Sequence, residues 1–257
     1  MAFRLSVNLN KIALVRNSRE GNYPNVTAFA ELFLNAGAQG LTAHPRPDQR
    51  HMRPSDIREL SAVAKAHDVE FNIEGNPFAR PKAEYPGLLH LVETYHPEQC
   101  TLVPDSDSQL TSDHGFDLNR DGDRLQKLIE QLKDSGTRVS LFMDPDVEQI
   151  KLAQECGADA IELYTGPFAW AFNESIANTV VQENKVDELF KLHVNAAKAA
   201  QKLELGINAG HDLNLSNLKI YKDLPGLQEV SIGHALTVDA LLMGYENALK
   251  KYLELCS

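Results

Sequence analysis

Cysteine is scarce: Cys100, Cys156 and Cys256 are the only three in 257 residues, an odd number with no paired spacing. That excludes a disulfide-built scaffold and leaves reduced thiols, as expected of a cytoplasmic protein. Long hydrophobic runs are missing as well. No stretch approaches the roughly 18 apolar residues that a bilayer requires, and Met1-Ala2-Phe3-Arg4-Leu5 has no basic flank leading into an apolar core, so neither a membrane span nor a signal peptide is expected. Positive charge is in deficit, with 25 Lys and Arg against 36 Asp and Glu, a net charge of −11. Nucleic acid and anionic membranes are thereby excluded as expected partners, since both would be repelled at long range. An anionic substrate would need basic groups gathered locally in a site.

What is present is the composition of a folded globular chain, and 257 residues suits one domain spanning 1–257, the size of a single (β/α)8 barrel. Short runs rich in Val, Ile, Leu and Phe alternate with longer segments of helical period. The candidate strands are 5–8, 40–44, 69–74, 99–103, 138–143, 160–163, 205–208 and 229–232. Between them, apolar residues recur at helical spacing, as in Phe29, Leu32, Phe33 and Ala36, and in Leu125, Leu128, Ile129 and Leu132. Val186, Leu189, Phe190, His193 and Ala197 form another such face, and Val238, Leu241, Leu242, Tyr245 and Leu249 a last one. Ser55 and Asp146 are suited to N-caps, and Gly37, Gly136 and Gly157 to helix ends. Eight βα units in a row predict a closed parallel barrel, a TIM-type α/β fold with extra helical segments.

Three loops following strands are long: 75–81, 104–119 and 165–170. In a barrel all three would lie on the C-terminal face, where active sites are built. Asn8, His44, Glu74, Asp144, Glu162, Asn208 with His211, and Gly233 with His234 stand at or just past strand ends. Any one of them has an ordinary use as a cap or solvated turn residue. Barrel topology brings the ends together, however, and imidazoles beside buried carboxylates make an acid/base site. The loops Asn208-Ala209-Gly210-His211 and Ile232-Gly233-His234-Ala235 follow the seventh and eighth strands, where barrels of this kind commonly hold a phosphate on backbone N–H groups. Arg19, Arg46 and His51 could grip a second anion.

Two look-alikes are set aside. The segment from Asp117 to Gly122 begins like an EF-hand loop but has Leu128 where the twelfth-position Glu belongs, so Asp121 and Asp123 read as cap and first-turn acids. Phe168, Trp170 and Phe172 suit packing in a lid better than base stacking, given the acidic chain.

Taken in order, these blocks resemble the pyridoxine 5′-phosphate synthase family of the deoxyxylulose-dependent vitamin B6 pathway. The resemblance runs the length of the chain. It covers Val7-Asn8-Leu9-Asn10 with Arg16-Asn17-Ser18-Arg19, His44-Pro45-Arg46 with Asp48, Arg50 and His51, and Asn72-Ile73-Glu74. Beyond these come Leu102-Val103-Pro104, Ser140-Leu141-Phe142, Ile161-Glu162 with Thr165-Gly166, and the two Gly-His loops. It implies a barrel that condenses 1-deoxy-D-xylulose 5-phosphate with 3-amino-2-oxopropyl phosphate, releasing inorganic phosphate and water without a metal or organic cofactor. It further implies His44 and Glu74 as proton acceptors, His211 as proton donor, and a homo-octamer assembled as a tetramer of dimers. Asn8, Asn10, Lys11, Arg19, Arg46, His51, Thr111, Asp212, Gly233 and His234 would bind the substrates.

The chain departs from the family in three places: Asn10-Lys11 replaces a frequent Asp-His, Asp212 replaces a frequent glycine, and 77–86 reads as an insertion. From the residues alone, other readings stay open. They are a metal-dependent barrel lyase, epimerase or hydrolase ligated by His44, Glu74, Glu162, His211 and His234, a Schiff-base aldolase using Lys11, and a non-catalytic phosphate-ligand binding barrel.

Overall fold

Each apolar run read as a strand lies in one closed, all-parallel sheet in which β1 to β8 pair in chain order and β8 returns to β1. The computed structural model describes residues 2–177 and 181–257. The strands are β1 (Arg4–Asn8), β2 (Gly40–Ala43), β3 (Glu70–Gly75), β4 (Gln99–Leu102), β5 (Arg138–Met143), β6 (Ala160–Leu163), β7 (Gly206–Ala209) and β8 (Leu227–Ile232). Around them run α1 (Asn10–Asn17), α2 (Val26–Asn35), α3 (Pro54–His67), α4 (Leu88–Tyr95), α5 (Leu118–Asp134) and α6 (Val147–Glu155). The remaining helices are α7 (Gly166–Ala177), α8 (Val181–Lys202), α9 (Leu218–Tyr221), α10 (His234–Met243) and α11 (Tyr245–Cys256).

Side chains alternate across a strand, and here the two faces differ sharply in chemistry. Leu5, Val7, Leu41, Phe71, Ile73, Cys100, Leu102, Val139, Leu141, Ile161, Leu163, Ile207, Val230 and Ile232 join the helices in one buried apolar cluster. The other face of the strands is largely polar and lines the barrel axis, with Phe142 of β5 an apolar exception at the cavity end. At its N-terminal end Arg4 pairs with Glu70 (3.0 Å) and Glu229 (3.3 Å), and Arg138 with Glu70 (2.9 Å). Above that layer Ser6 meets Thr42 (2.7 Å), Thr101 donates to Asn72 (3.1 Å), and Asn208 donates across the barrel to Gln99 (3.0 Å). The hydrocarbon core is therefore the annulus between sheet and helices, whereas barrels of this type usually fill their axis with branched apolar side chains.

Helix ends follow local chemistry, with some shifts from expectation. Asp146 caps α6 by accepting from the N–H of Glu148 and Gln149, and Gly37, Gly136 and Gly157 take left-handed φ just past their helices. Ser55 is not a cap. Pro54 starts α3 after Arg53, and Asp56 reaches back to the Arg53 N–H (2.7 Å), closing that turn from inside. Helix α5 begins earlier than expected, capped by Asp117, so Asp121 is a first-turn acid and not the cap. The face expected from Val238 to Leu249 is broken at Gly244, where φ of 81° ends α10. Leu241 and Leu242 consequently face outward instead of packing in the core. The segment 165–170 is not a lid loop: α7 starts at Gly166, and Phe168 is buried against Phe190, His193 and Tyr221.

Candidate active site

A cavity of about 400 Å³ opens at the C-terminal end of the barrel. Asn8, Asn10, Lys11, His44, Arg46, His51, Glu74, Thr111, His211, Asp212, Gly233 and His234 all line it. Arg19 does not. It is exposed at the end of α1, and its guanidinium donates to the carbonyl of Ser18 (2.8 Å). Asn208 is spent on Gln99 inside the barrel, and Asp144 lies outside the cavity lining.

His44 sits between two carboxylates, with Nδ1 at 3.6 Å from Glu74 Oε2 and Nε2 at 3.3 Å from Asp105 Oδ2. Burial decides the charges. It drives His44 down to about 3, with Arg46 and Arg50 adding to the shift, so the ring is neutral. Burial also raises Glu74 well above the carboxylate range, reinforced by Glu162, Asp105 and Glu229, while burial lifts Glu162 to about 7. The close approach of His44 and Glu74 is thus a contact between a neutral imidazole and a carboxylic acid that still holds its proton. Asn8 Nδ2 donates to Glu74 Oε2 (3.4 Å), and Asn8 Oδ1 accepts from the Asn10 N–H (3.0 Å).

Asn10 has a structural task that explains why an amide serves there. Its Oδ1 accepts the backbone N–H of His44 (2.9 Å), locking the end of β2 to the start of α1. An aspartate offers the same acceptor, so the replacement keeps this bond. Asp212 stands at φ of 60°, a left-handed conformation that glycine takes freely and that Asp tolerates better than most residues. Its carboxylate lies 3.8 Å from His211 Nε2 and opposes the burial that lowers His211.

His211 rests on an aromatic floor, 5.4 Å from the Tyr164 ring and 6.2 Å from Phe142, with Thr111 Oγ1 at 3.4 Å from its Nε2. His51 Nδ1 accepts from the Met52 N–H (3.0 Å), which requires an unprotonated nitrogen and puts the ring proton on Nε2. Burial agrees, holding His51 down at about 2. His51 is therefore a neutral donor.

Just past β8, Gly233 precedes α10, and Thr237 N–H is the one that bonds back to its carbonyl (3.0 Å). The first N–H groups of α10 are thus left for an anion. A Cβ at Gly233 would meet the Asn8 carbonyl at 2.6 Å and Asn8 Cβ at 2.9 Å, so only glycine fits there. Lys11, Arg46 and Arg50 supply positive charge to the same cavity of this acidic chain. Among the described residues, no three His, Cys, Asp or Glu side chains are arranged to hold a metal ion. The arrangement can move protons between neutral donors and acceptors while anchoring anionic groups.

Glu162 was legible as a strand-end acid. Asp105 was not singled out, although it directly follows Val103-Pro104 at the end of β4. The signal lay in an acidic residue at the only strand end without a candidate.

The family model described as "Pyridoxal phosphate biosynthesis protein PdxJ" matches residues 5–257. A pyridoxine 5′-phosphate synthase of Xanthomonas axonopodis pv. citri is 51% identical over 256 residues, covering 99% of this chain and 97% of its own. One from Xylella fastidiosa is 48% identical over 253 residues, covering 98% and 94%. Among solved structures, thiamine phosphate pyrophosphorylase from Pyrococcus furiosus superposes with a TM-score of 0.58 at 10% identity, covering 99% of this chain and 95% of its own. Tryptophan synthase from M. tuberculosis gives 0.62 at 9%, covering 100% and 94%. These last two likenesses speak for the fold alone.

Proposed function

Because the chain belongs to the PdxJ family of pyridoxal phosphate biosynthesis proteins, we propose that this cavity joins 1-deoxy-D-xylulose 5-phosphate to 3-amino-2-oxopropyl phosphate and closes the pyridine ring of pyridoxine 5′-phosphate. The protein is an enzyme, a synthase of vitamin B6 biosynthesis. The observation that carries the assignment of the site is that His44, Glu74 and His211 open on one cavity together with Lys11, Arg46 and the start of α10.

Imine formation, loss of water, elimination of phosphate and ring closure are each a matter of moving protons on and off carbon, nitrogen and oxygen. Glu74, buried and protonated, exchanges its proton during enolisation and dehydration. His44, neutral and beside it, serves the imine-forming face, and His211 protonates a leaving oxygen. The Gly233-His234 turn holds one phosphate on the N–H groups of α10, while Arg46 and His51 orient the other. Each dianionic phosphate raises the histidines it approaches, so substrate binding brings these imidazoles toward their working range.

The direct test is to mix purified protein with the two phosphorylated substrates and follow pyridoxine 5′-phosphate by absorbance and mass. Absence of product from folded protein that binds deoxyxylulose phosphate would sink the reading. Gly233→Ala drives a Cβ into the Asn8 backbone, so it displaces both the phosphate turn and the Asn8 link to Glu74. Its expected effect is a loss of about 100-fold in kcat/KM, the scale of a 1 Å misplacement, measured by steady-state kinetics.

The assembly is proposed as a homo-octamer, a tetramer of dimers, in the cytoplasm. Val15 on α1, with Val238, Leu241 and Leu242 on the adjoining α10, are exposed and supply apolar surface of the kind such contacts require. The three free, buried cysteines suit a reducing compartment. Leu242→Glu is expected to yield smaller species in sedimentation velocity; an unchanged distribution would exclude α10 from the interface.

A further inference from the structure

Asp105 has no part in the proton transfers assigned above, yet it is the second carboxylate on His44. It lies in the β4–α5 loop, three residues past the end of β4, and is buried to 4% exposure. All its side-chain contacts fall on one oxygen: Oδ2 lies 3.2 Å from Arg46 Nη2, 3.3 Å from His44 Nε2, and accepts from Ser112 Oγ at 3.3 Å. Its carbonyl is fixed by Asn76 Nδ2 (2.6 Å). The loop it belongs to is tied down from the β2–α3 side, where Arg50 donates to the carbonyls of Asp107 (2.8 Å) and Gln109 (2.7 Å), and Arg46 to that of Ser106. His44 Nε2 is buried and makes no aligned hydrogen bond, so Asp105 stands beside an unsatisfied nitrogen while Arg46 shares its charge.

We propose that Asp105 is a positioning residue for His44, accepting Nε2–H so that Nδ1 faces the Glu74 carboxyl as the basic nitrogen. A substrate phosphate that engages Arg46 releases the shared carboxylate to His44. The Glu74 O–H bond can then break as an N–H bond forms at His44 Nδ1, leaving a Glu74 carboxylate ready to take a substrate proton and an imidazolium that Asp105 stabilises. No proton or charge is lost in the exchange. The idea rests on the acid/base reading of His44 and Glu74. Burial lifts Asp105 to about 6 against the pull of Arg46, which keeps it ionised at neutral pH while leaving it a strong acceptor.

The groups acting on this pair are known. Arg46, Arg50 and His211 lower His44 and Asp48 raises it, while Arg46, Arg50 and Ser112 lower Asp105 and Asp107 raises it. The test is the pH profile of kcat/KM for wild type, Asp105→Asn, Asp105→Glu and Ser112→Ala. Asp105→Asn should lower kcat by about 10- to 100-fold, the usual cost of losing a carboxylate that orients a histidine, and shift the acidic limb to lower pH because His44 loses the anion that favours its protonation. Asp105→Glu should return the limb to its wild-type position. Ser112→Ala removes a hydrogen bond from the same oxygen and keeps the charge, so it should move the limb to higher pH, and it carries the test should the asparagine variant not fold. A purely structural role would change stability or KM and leave the limb in place. Product from wild type with the limb unmoved in these variants would overturn this inference alone. No product from wild type would overturn the acid/base reading, and the inference with it.

Discussion

Glu74→Gln is expected to lower kcat by about 10²- to 10⁴-fold, the contribution of a positioned acid/base group, and at the same time to make the protein more stable at alkaline pH. Glutamine keeps the shape of the side chain and an oxygen to accept from Asn8 Nδ2, so the fold is retained and only proton exchange is lost. The stability gain follows from burial, which raises Glu74 in the native state, with Glu162, Asp105 and Glu229 adding to the shift. Below its ordinary range the carboxyl is protonated whether the chain is folded or not, and it has no effect on the balance. As pH rises past that range the unfolded chain releases a proton that the native protein retains, so wild-type stability is progressively lost until the native group ionises too. Glutamine does not titrate. Urea midpoints for the variant should therefore exceed wild type at about pH 8 and converge with it only as pH falls below about 4. A variant within threefold of wild-type kcat would remove Glu74 from the chemistry; midpoints that stay parallel would mean the acid is ionised in the native state.

Arg16→Ala is expected to cost about 3–5 kcal/mol, the penalty for stranding one partner of a buried ion pair. Arg16 is 1% exposed, and its Nη1 lies 2.5 Å from Asp56 Oδ1. Without it Asp56 keeps only the Arg53 N–H on its other oxygen. The effect reaches the cavity because Arg16 Nη2 (2.9 Å) and Asn17 Nδ2 (2.8 Å) hold the carbonyl of His51, and Asn17 also holds those of Gln49 and Arg50. A rise in KM should accompany the fall in urea midpoint, both read at fixed protomer concentration. Combining Arg16→Ala with Asp56→Ala should cost less than the sum of the single changes, since the double variant leaves no buried charge unpaired. A single-variant loss below about 1 kcal/mol would show that water reaches the pair.

The strand positions were readable because each is a short apolar run bounded by turn residues, and every β-strand falls within two residues of its expected range. The chemistry of the barrel axis was less visible. Runs such as Leu5-Ser6-Val7 and Cys100-Thr101-Leu102 look apolar with a polar interruption, yet the interruptions recur every second residue and all face inward. Period two ordinarily marks a sheet with one face in water. Here the polar face is enclosed by the sheet itself, which only closure of the barrel reveals. Likewise, the segment from Val238 to Leu249 has one helical period, but Gly244 divides it into two helices.

The cavity lining was readable where a polar residue stands at a strand end, as with His44, Glu74, Glu162 and the two Gly-His loops. Charge states were not, since they depend on burial and on neighbours distant in sequence, such as Arg50 and His211 acting on His44. Nor could sequence show that Arg46 shares its charge with Asp105, a contact across two loops. Arg19 shows the reverse case: its neighbour Arg16 is drawn inward by Asp56, while Arg19, past the end of α1, is left in solvent.

The polar axis also bears on how the barrel chooses its strand register. An outer face of Val, Leu and Ile presents much the same surface when a strand slides by two residues, so the annulus alone discriminates poorly between alignments. Inside, such a slip would carry Arg4 out of reach of Glu70 and Glu229 and separate Asn208 from Gln99, leaving charges and amides buried without partners. The inner side chains thus act as a lock that penalises a slipped shear, and it is the native register, with Ala43 paired to Ile73, which sets His44 beside Glu74.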